Sequence, residues 1–262
     1  DPSKVAKGAG IDATGWPPSA DGFDAVVHLA GEPVIGKRWS ARQKERLRAS
    51  RVDTANTLVE AVRVAERKPR VFVGASAIGY YGDRGDEVLT EASGPGDDFL
   101  ARLCRDWETA AMAASDVTRV VTLRTGVVLT PDGGALAKLL PLFKFGLGGR
   151  FGNGRQWWSW ISLTDEIRAI IHALTTDIEG PLNLTAPTPT TNREFTDVLG
   201  DVLGRPTLIP VPAFGPKLIV GADVAQALLF DSARVLPAAL ADHGFAFEHA
   251  GLEAALRAEL GR

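Results

Sequence analysis

Apolar and polar positions alternate along the first two thirds of the chain with the two periods that distinguish strands from helices. Residues 24–31 and 71–75 are short apolar runs that end at small residues, as buried parallel strands do. Between them, Ser40 and Gln43 have the spacing of a capping box and begin a helical pattern that continues to about Arg67. A strand, a helix and a second strand in this order predict a parallel sheet with helical crossovers.

The same alternation continues after a Gly- and Asp-rich loop at Gly79–Gly96, which is long enough to be functional. The further predicted elements are a helix from Asp97 or Asp98 to about Ala114, a strand over Arg119–Leu123, a helix over Ala135–Phe145, a strand over Trp157–Ile161, a helix over Thr164–Thr176, a strand over Leu182–Thr185 and a helix from Thr191 to about Leu203. Beyond Pro210 the pattern is mostly helical, which predicts a smaller C-terminal lobe.

Small residues follow the two clearest strands of this predicted sheet. Leu29-Ala30-Gly31 ends the first strand, and Ala75-Ser76 ends the second. Neighbouring parallel strands end at the same edge of a sheet, and small residues there let a ligand approach the backbone closely. A tight turn is the alternative for either segment alone, but the pair favours one crevice for a dinucleotide.

Composition narrows the classes of protein that fit. Of the 262 residues, 45% are apolar and 23% are charged, which is typical of an ordinary soluble protein with a large core. The net charge of −3 argues against a general nucleic-acid or membrane-surface binder. The single cysteine, Cys104, excludes an intrachain disulfide and favours a reducing cytoplasm.

Aromatic side chains supply two candidate features. The only tyrosines, Tyr80 and Tyr81, follow the second strand; they are either packed loop aromatics or a site wall with a phenol for proton transfer. Trp157, Trp158 and Trp160 follow a Gly-rich stretch, where core packing and a pocket wall are both open.

Charged residues are most simply explained by helix surfaces and helix ends. The basic run from Lys37 to Arg51 is a solvated helix face or, alternatively, a phosphate-binding edge. Asp165 and Glu166 at a predicted helix start complement the macrodipole. The four histidines have no metal-ligand spacing, and no nucleophile elbow, P-loop or zinc motif occurs.

The beginning of the chain contains a misleading motif. Residues Gly8–Ala13 fit the dinucleotide fingerprint formally, but no strand precedes them and Pro17-Pro18 follows them, so we reject the match. The loop-like residues 1–23 and the missing front strand predict that Asp1 follows a cut inside a longer protein, and that the sheet lacks its first β-α-β unit.

The motifs together resemble the extended short-chain dehydrogenase/reductase superfamily and, more narrowly, its atypical YfcH-like NAD-dependent epimerase/dehydratase proteins with a C-terminal domain of unknown function. The resemblance runs from about residue 24 to 260. It rests on Asp24–Pro33, Arg38-Trp39, Ser50-Arg51 with Thr54, Ser76–Asp83, Cys104–Glu108, Arg124–Leu129, Gly152–Gln156, Ser159–Ser162 with Asp165, Pro210, Leu236-Pro237 and Gly244–Phe247.

The resemblance implies an α/β fold with a Rossmann-like parallel sheet and a smaller, mixed, mostly helical C-terminal lobe. The expected division is residues 24–145 and about 159–186 for the NAD(P)-binding domain, and about 146–158 and 187–262 for the substrate lobe. The expected cofactor is NADP(H), with NAD(H) as the alternative. By position, the implied cofactor-binding residues are Leu29, Ala30, Gly31, Ala75, Ser76, Arg124, Thr125, Gly126 and Val127.

The usual catalytic residues of that superfamily are missing. Its Tyr-x-x-x-Lys pair belongs to the helix after the long loop, which here reads Phe99–Glu108 and contains neither residue; the assisting Ser or Thr is replaced by Ala77. The substitutes that we consider are Ser76, Tyr80 and Tyr81 as catalytic residues, and Trp158 and Trp160 as the substrate pocket.

These observations predict an NADP(H)-binding oxidoreductase or epimerase of unknown substrate. The alternative is a non-catalytic NADPH-binding regulatory or sensor module. We expect a small-molecule substrate, no nucleic-acid or membrane partner, no metal, and a monomer or homodimer in the cytoplasm.

Overall fold

The computed structural model describes residues 15–208, 210–212 and 214–262. The rejected fingerprint at Gly8–Ala13 and most of the predicted loop-like segment 1–23 lie outside the described residues. Within the described part, no helix has the length and apolar character needed to cross a membrane.

Short strands and longer helices alternate in the first two thirds, as the sequence predicts. The strands are β1 (Ala25–His28), β2 (Val71–Ala77), β3 (Val88–Leu89), β4 (Arg119–Thr125), β5 (Val127–Leu129), β6 (Trp157–Trp158), β7 (Trp160–Ser162), β8 (Gly180–Leu184), β9 (Thr190–Thr191) and β10 (Arg234–Val235). The α-helices are α1 (Ala41–Val64), α2 (Phe99–Met112), α3 (Gly134–Lys144), α4 (Leu163–Thr175), α5 (Asn192–Leu203), α6 (Phe214–Val220), α7 (Ala222–Ala225), α8 (Ala238–Asp242) and α9 (Leu252–Leu260). A 3-10 turn over Ile78–Tyr81 follows β2, and a π-helical turn over Gln226–Phe230 follows α7.

Four parallel strands form the central sheet in the order β1-β2-β4-β8. The register places His28 beside Gly74, and Ser76 beside Arg124. The predicted adjacency of the first two strand ends is therefore confirmed, and so is the α/β class with a mostly helical C-terminal region. The finer division into two lobes stays a prediction.

Strand β2 shows why helices cover both faces of this sheet. Phe72 packs in one cluster with Val62 of α1 and Ala111 of α2. Its neighbour Val73 packs in another cluster with Ala169 of α4. Successive side chains of a strand point to opposite faces, so an uninterrupted apolar strand requires a helix layer on each side.

Side-chain caps fix where three of the helices begin. Asp98 accepts from the backbone N–H of Ala101, which resolves the predicted choice between Asp97 and Asp98. Thr191 and Glu194 form a full capping box at the predicted start of α5. Ser40 caps α1 through Gln43 N–H, at 3.2 Å.

The predicted single strand Trp157–Ile161 is wrong in one respect, because the chain changes partners at Ser159. Strand β6 pairs antiparallel with β9, whereas β7 pairs parallel with β5. The hydroxyl of Ser159 donates to Ala233 O at 2.8 Å and accepts from Val235 N–H at 2.9 Å. This buried serine therefore ties the break to the C-terminal region.

Candidate functional site

A cavity of about 480 Å³ opens at the C-terminal ends of β1, β2 and β4. Ligands of open α/β sheets bind at this edge. Of the residues predicted for the site, seven line the cavity: Leu29, Ala75, Ser76, Thr125, Gly126, Val127 and Trp158. Six do not: Ala30, Gly31, Tyr80, Tyr81, Arg124 and Trp160.

Backbone proximity forms the floor of the cavity at Gly126. A Cβ on Gly126 would lie 2.5 Å from Ser159 O, so no other residue fits there without a backbone shift. The neighbouring amide of Val127 donates to the same carbonyl oxygen at 2.9 Å. The segment after β4 is thereby held against β6 and β7, which brings Trp158 into the cavity wall.

Arg51 supplies positive charge at the end of β1. It is the only residue of the basic run Lys37–Arg51 that lines the cavity, beside Leu29. Its guanidinium lies 5.1 Å from the ring centre of Trp107 and donates to Leu47 O at 3.2 Å. Among the described residues, no carboxylate lies within ion-pair distance of it. This cation can therefore receive an anionic group of a ligand.

A buried hydrogen-bonded network lies directly behind Ser76. The Ser76 hydroxyl donates to Glu108 Oε1 at 2.6 Å. Arg124 holds both oxygens of the same carboxylate, with Nε to Oε1 at 2.9 Å and Nη2 to Oε2 at 2.8 Å. Both partners of this ion pair are almost fully buried. The carboxylate is fully satisfied, so the network orients Ser76 instead of moving protons.

The two tyrosines belong to this network and are not among the residues that line the cavity, and their role as catalytic residues stays a prediction. The Tyr81 hydroxyl donates to Asn183 Oδ1 at 2.7 Å and accepts from Arg124 Nη1 at 3.0 Å. Burial raises the pKa of Tyr81 to about 12, against the opposing effect of Arg124. The Tyr80 ring stacks on the Arg124 guanidinium at 3.5 Å. Neither phenol faces the space that a ligand would fill.

The predicted tryptophan wall is divided in the structure. Trp158 lines the cavity, and so does Trp157, which the sequence analysis named but did not assign to the substrate pocket. The Trp157 indole donates to Asp86 Oδ1 at 2.8 Å. Trp160 is fully buried in the hydrophobic core beside Leu129 and Phe195 and does not line the cavity, so its assignment to the substrate pocket stays a prediction. Trp158 belongs to the same hydrophobic cluster as Trp160 and packs on Phe195, and it reaches the cavity as well.

Helix α2 presents an apolar wall to the cavity. Leu100 and Cys104, four residues apart and therefore on one helix face, both line it. Burial raises the pKa of the Cys104 thiol to about 12, with a further contribution from the nearby Glu108 carboxylate. The thiol is therefore neutral at physiological pH, and this wall offers neither an acid nor a base.

Glu166 is the site residue that the sequence interpretation missed. Its Oε1 accepts from the Thr125 hydroxyl at 3.0 Å, while Oε2 is buried without a partner. Glu166 lines the cavity, and burial raises its pKa to about 7. The available signal was its position three residues before Ala169 and seven before Ala173, on the buried stripe of α4.

The adjacent acid, Asp165, has a structural role. Its oxygens accept from the backbone N–H groups of Glu248 and His249, both at 2.9 Å, and from Arg168 at 2.8 Å. The fully buried Asp165 carboxylate thus attaches the C-terminal segment to the beginning of α4. Asp165 therefore fixes the C-terminal segment, whereas its neighbour Glu166 on the same helix turn lines the cavity.

The C-terminal region contributes part of the cavity wall. Ala227, Leu228, Asp231 and Ala233 contribute to its lining. Burial raises the pKa of Asp231, and its carboxylate accepts from Gln226 at 2.9 Å. This part of the wall is apolar and acidic.

Comparison with known proteins places this geometry in a family. A model described as the NAD dependent epimerase/dehydratase family matches residues 17–184, and a domain of unknown function, DUF1731, matches residues 211–259. The epimerase family protein ML0860 of Mycobacterium leprae is 44% identical over 244 residues, which cover 89% of this chain and 78% of that protein.

Two solved structures are similar over most of the chain. The human epimerase family protein SDR39U1 (isoform 2), crystallised with NADPH, has a TM-score of 0.88 and 32% identity, covering 99% of this chain and 86% of that one. The nucleoside-diphosphate sugar epimerase from Corynebacterium glutamicum has a TM-score of 0.74 and 39% identity, covering 92% and 47%.

Proposed function

The chain belongs to the NAD dependent epimerase/dehydratase family, and on that premise we propose that it is an NADPH-dependent oxidoreductase of small, uncharged carbonyl compounds. The observation that carries this proposal is the cavity at the ends of β1, β2 and β4, with the Arg51 cation at the β1 end and the Glu166 carboxyl group beside β4. The similar human protein crystallised with NADPH supports the choice of cofactor. NADH is the alternative cofactor.

The residues at the β1 and β2 ends fit such a cofactor. Leu29 and Ala75 leave a bare edge for a flat ligand, and Arg51 offers a guanidinium that no carboxylate among the described residues neutralises. Arg51 would hold a phosphate of the cofactor, and Thr125, Gly126 and the other small residues would border its reactive ring. When bound, the nicotinamide supplies or accepts the hydride.

The polarity of the cavity wall favours an uncharged substrate. Arg51 is the only cationic side chain among the described residues that line the cavity, and it lies at the cofactor end. The remaining charged lining residues, Asp98, Glu166 and Asp231, are acids. A substrate with a diphosphate of its own, in addition to that of the cofactor, would place its negative charge beside these carboxyl groups. No cation among the described lining residues would offset that charge at the substrate end, which costs binding free energy.

The first experiment measures NADPH and NADH binding by the change in cofactor fluorescence. We expect saturable NADPH binding that Leu29→Glu abolishes, because a carboxylate at the strand end repels the cofactor phosphates. Leu142→Glu is the matched control, since Leu142 is similarly exposed (46% against 55%) on α3 outside the cavity. Equal NADPH binding by Leu29→Glu and Leu142→Glu would contradict the proposed location.

A second candidate function is an NADPH sensor without turnover. The apolar α2 wall, with Leu100 and Cys104 facing the cavity, favours it, because the usual phenol and ammonium are missing there. In that case NADPH would slow hydrogen exchange of residues 224–235 with no oxidation of NADPH by any carbonyl compound. Turnover of NADPH with a carbonyl substrate would exclude this alternative.

A further inference from the structure

Glu166 has the geometry of a proton-transfer group, although it lies on the opposite wall from the helix where its superfamily normally has one. We propose that Glu166 is the catalytic acid and base of this cavity, oriented by Thr125. The inference rests on the proposed function, because it requires a carbonyl substrate beside a bound nicotinamide.

The carboxyl group of Glu166 is held in the cavity wall with one oxygen left unpartnered. Glu166 lies in the first turn of α4, and its side chain lines the cavity together with Thr125, Gly126 and Trp158. One oxygen is fixed by the Thr125 hydroxyl at 3.0 Å. The other, Oε2, is buried and has no hydrogen-bond partner in the described structure. A buried polar atom without a partner is costly unless a ligand satisfies it.

Glu166 differs in its hydrogen-bond partners from the other acids in or behind the cavity wall. Asp98 caps α2 by accepting from Ala101 N–H at 2.9 Å, and Asp231 accepts from Gln226 at 2.9 Å. Glu108, behind Ser76, is neutralised by Arg124. Among the described residues, Glu166 forms no ion pair, so it can change charge without breaking one.

The α2 residues that line the cavity, and Ser76 beside them, do not supply a proton in place of Glu166. Leu100 cannot exchange a proton, and the buried thiol of Cys104 is held neutral. The Ser76 hydroxyl lines the cavity, but its proton is donated to Glu108 at 2.6 Å. Ser76 can therefore accept a hydrogen bond from a ligand, while Glu166 is left to supply the proton.

The charged surroundings of Glu166 allow it to serve in both directions near neutral pH. The ionisable side chains lining the same cavity are Arg51, Asp98, Cys104 and Asp231, and those near it on α4 are Asp165 and Arg168, which pair with each other. Burial raises the pKa of Glu166 to about 7, while the Thr125 hydrogen bond lowers it. An acid with a pKa of about 7 is half protonated near neutral pH.

Glu166 would exchange one proton with the substrate in each direction. In reduction, a bound nicotinamide would supply the hydride that the carbonyl carbon gains and would be oxidised by that loss, while Glu166 would give its proton to the carbonyl oxygen to form an alcohol. The Glu166 carboxylate would then recover a proton from water. In oxidation, the carboxylate would accept the hydroxyl proton as the hydride passed to the oxidised nicotinamide.

The test combines a turnover measurement with a measurement on the unliganded protein. With phenanthrenequinone as the probe, Glu166→Gln should lower kcat by roughly 100-fold while NADPH affinity changes little, since general acid catalysis contributes at least that factor. NMR of isotopically labelled glutamate carboxyl groups should show one resonance, lost in Glu166→Gln, that titrates near pH 7. Thr125→Val should move that midpoint upward, because it removes the hydrogen bond that lowers the pKa.

Glu259→Gln is the matched control. Glu259 is similarly half-buried and accepts from Thr164 N–H at the start of the same helix, but it does not line the cavity. It should leave both readouts unchanged. Wild-type turnover by Glu166→Gln, or a Glu166 midpoint at the ordinary value of 4.5, overturns the inference. Failure of the wild type to bind NADPH overturns the proposed function instead, while the NMR titration still reads Glu166.

Discussion

Two carboxyl groups near the ends of β2 and β4 differ in how completely their surroundings satisfy them. Glu108 on α2 has one oxygen shared by Ser76 and Arg124 and the other bonded to Arg124. Glu166 on α4 has one oxygen bonded to Thr125 and the other unpartnered. The Glu108 carboxylate is paired with a buried guanidinium and has both oxygens hydrogen-bonded. The Glu166 carboxyl has an unpartnered oxygen and a pKa raised by burial to about 7, so it can gain or lose a proton.

This difference indicates a structural role for Glu108, behind the cavity wall, and a chemical role for Glu166, which lines the cavity. A buried ion pair with saturated hydrogen bonds fixes geometry, and removing one partner leaves an uncompensated charge. A buried carboxyl oxygen without a hydrogen-bond partner is unfavourable, and a ligand that bonds to it removes that cost. We therefore expect substitutions at Glu108 to affect folding and substitutions at Glu166 to affect proton transfer.

The largest expected effect is on stability at Glu108. Glu108→Gln should lower the free energy of unfolding by about 3 to 5 kcal/mol, because it leaves the Arg124 guanidinium buried without its counter-charge. Urea unfolding at neutral pH measures this change. A loss no larger than that of the surface variant Glu253→Gln, which breaks an exposed pair with Arg257, would refute the contrast.

The next effect is the pH dependence of stability that Glu166 confers. Because its pKa is raised by burial from 4.5 to about 7, the folded state binds this proton more tightly than the unfolded state. The associated stability is complete below pH 4.5 and is lost as the pH rises towards about 7. Relative to Glu166→Gln, the wild type should therefore lose about 2 to 3 kcal/mol over this window. Parallel stability curves of the two proteins, measured by urea unfolding, would show that Glu166 does not titrate there.

The fold was largely predictable from local pattern, and the exceptions have physical causes. Buried strands such as β2 and caps such as Thr191 are specified by neighbouring residues, so their positions follow from sequence. The break at Ser159 depends on bonds to Ala233 and Val235, more than 70 residues away in the chain. Periodicity contains no information about such distant partners.

The candidate site was predictable mainly where small residues end the strands. Bare strand ends such as Ala75 and Gly126 are visible in the sequence, and they line the cavity. The positions of Tyr81 and Arg124 depend on Asn183, which the sheet register brings beside Arg124. Glu166 was misjudged because its place at a helix start has a simple explanation in the macrodipole, which hid its position on the buried stripe.

A smaller effect is expected from the Tyr81 phenol. Tyr81→Phe should cost about 1 to 2 kcal/mol of stability, because Asn183 Oδ1 and Arg124 Nη1 lose a buried partner. NADPH affinity and the turnover of phenanthrenequinone should stay at the wild-type values, since the hydroxyl does not line the cavity. Thermal unfolding measures the stability, and NADPH fluorescence measures both the cofactor affinity and the turnover. Lost turnover in a stably folded Tyr81→Phe protein would restore the phenol as the acid.

The smallest effect is expected at the cofactor end of the cavity. Arg51→Gln should weaken NADPH binding about tenfold, the loss of one charge-assisted hydrogen bond to a phosphate. The dependence of NADPH affinity on salt should also fall, because one ionic contact is removed. Arg48→Gln on the same helix, an exposed arginine outside the cavity, is the control. Equal affinities of the two variants would place the phosphate elsewhere.

Calorimetry of NADPH binding in two buffers of different ionisation enthalpy tests the central claim most directly, because it counts the protons that accompany binding. Near neutral pH, a cofactor that encloses Glu166 further favours its neutral form, so the wild type should take up a fraction of a proton. This uptake should disappear in Glu166→Gln and persist in Glu259→Gln. The same proton count in all three proteins would contradict the account.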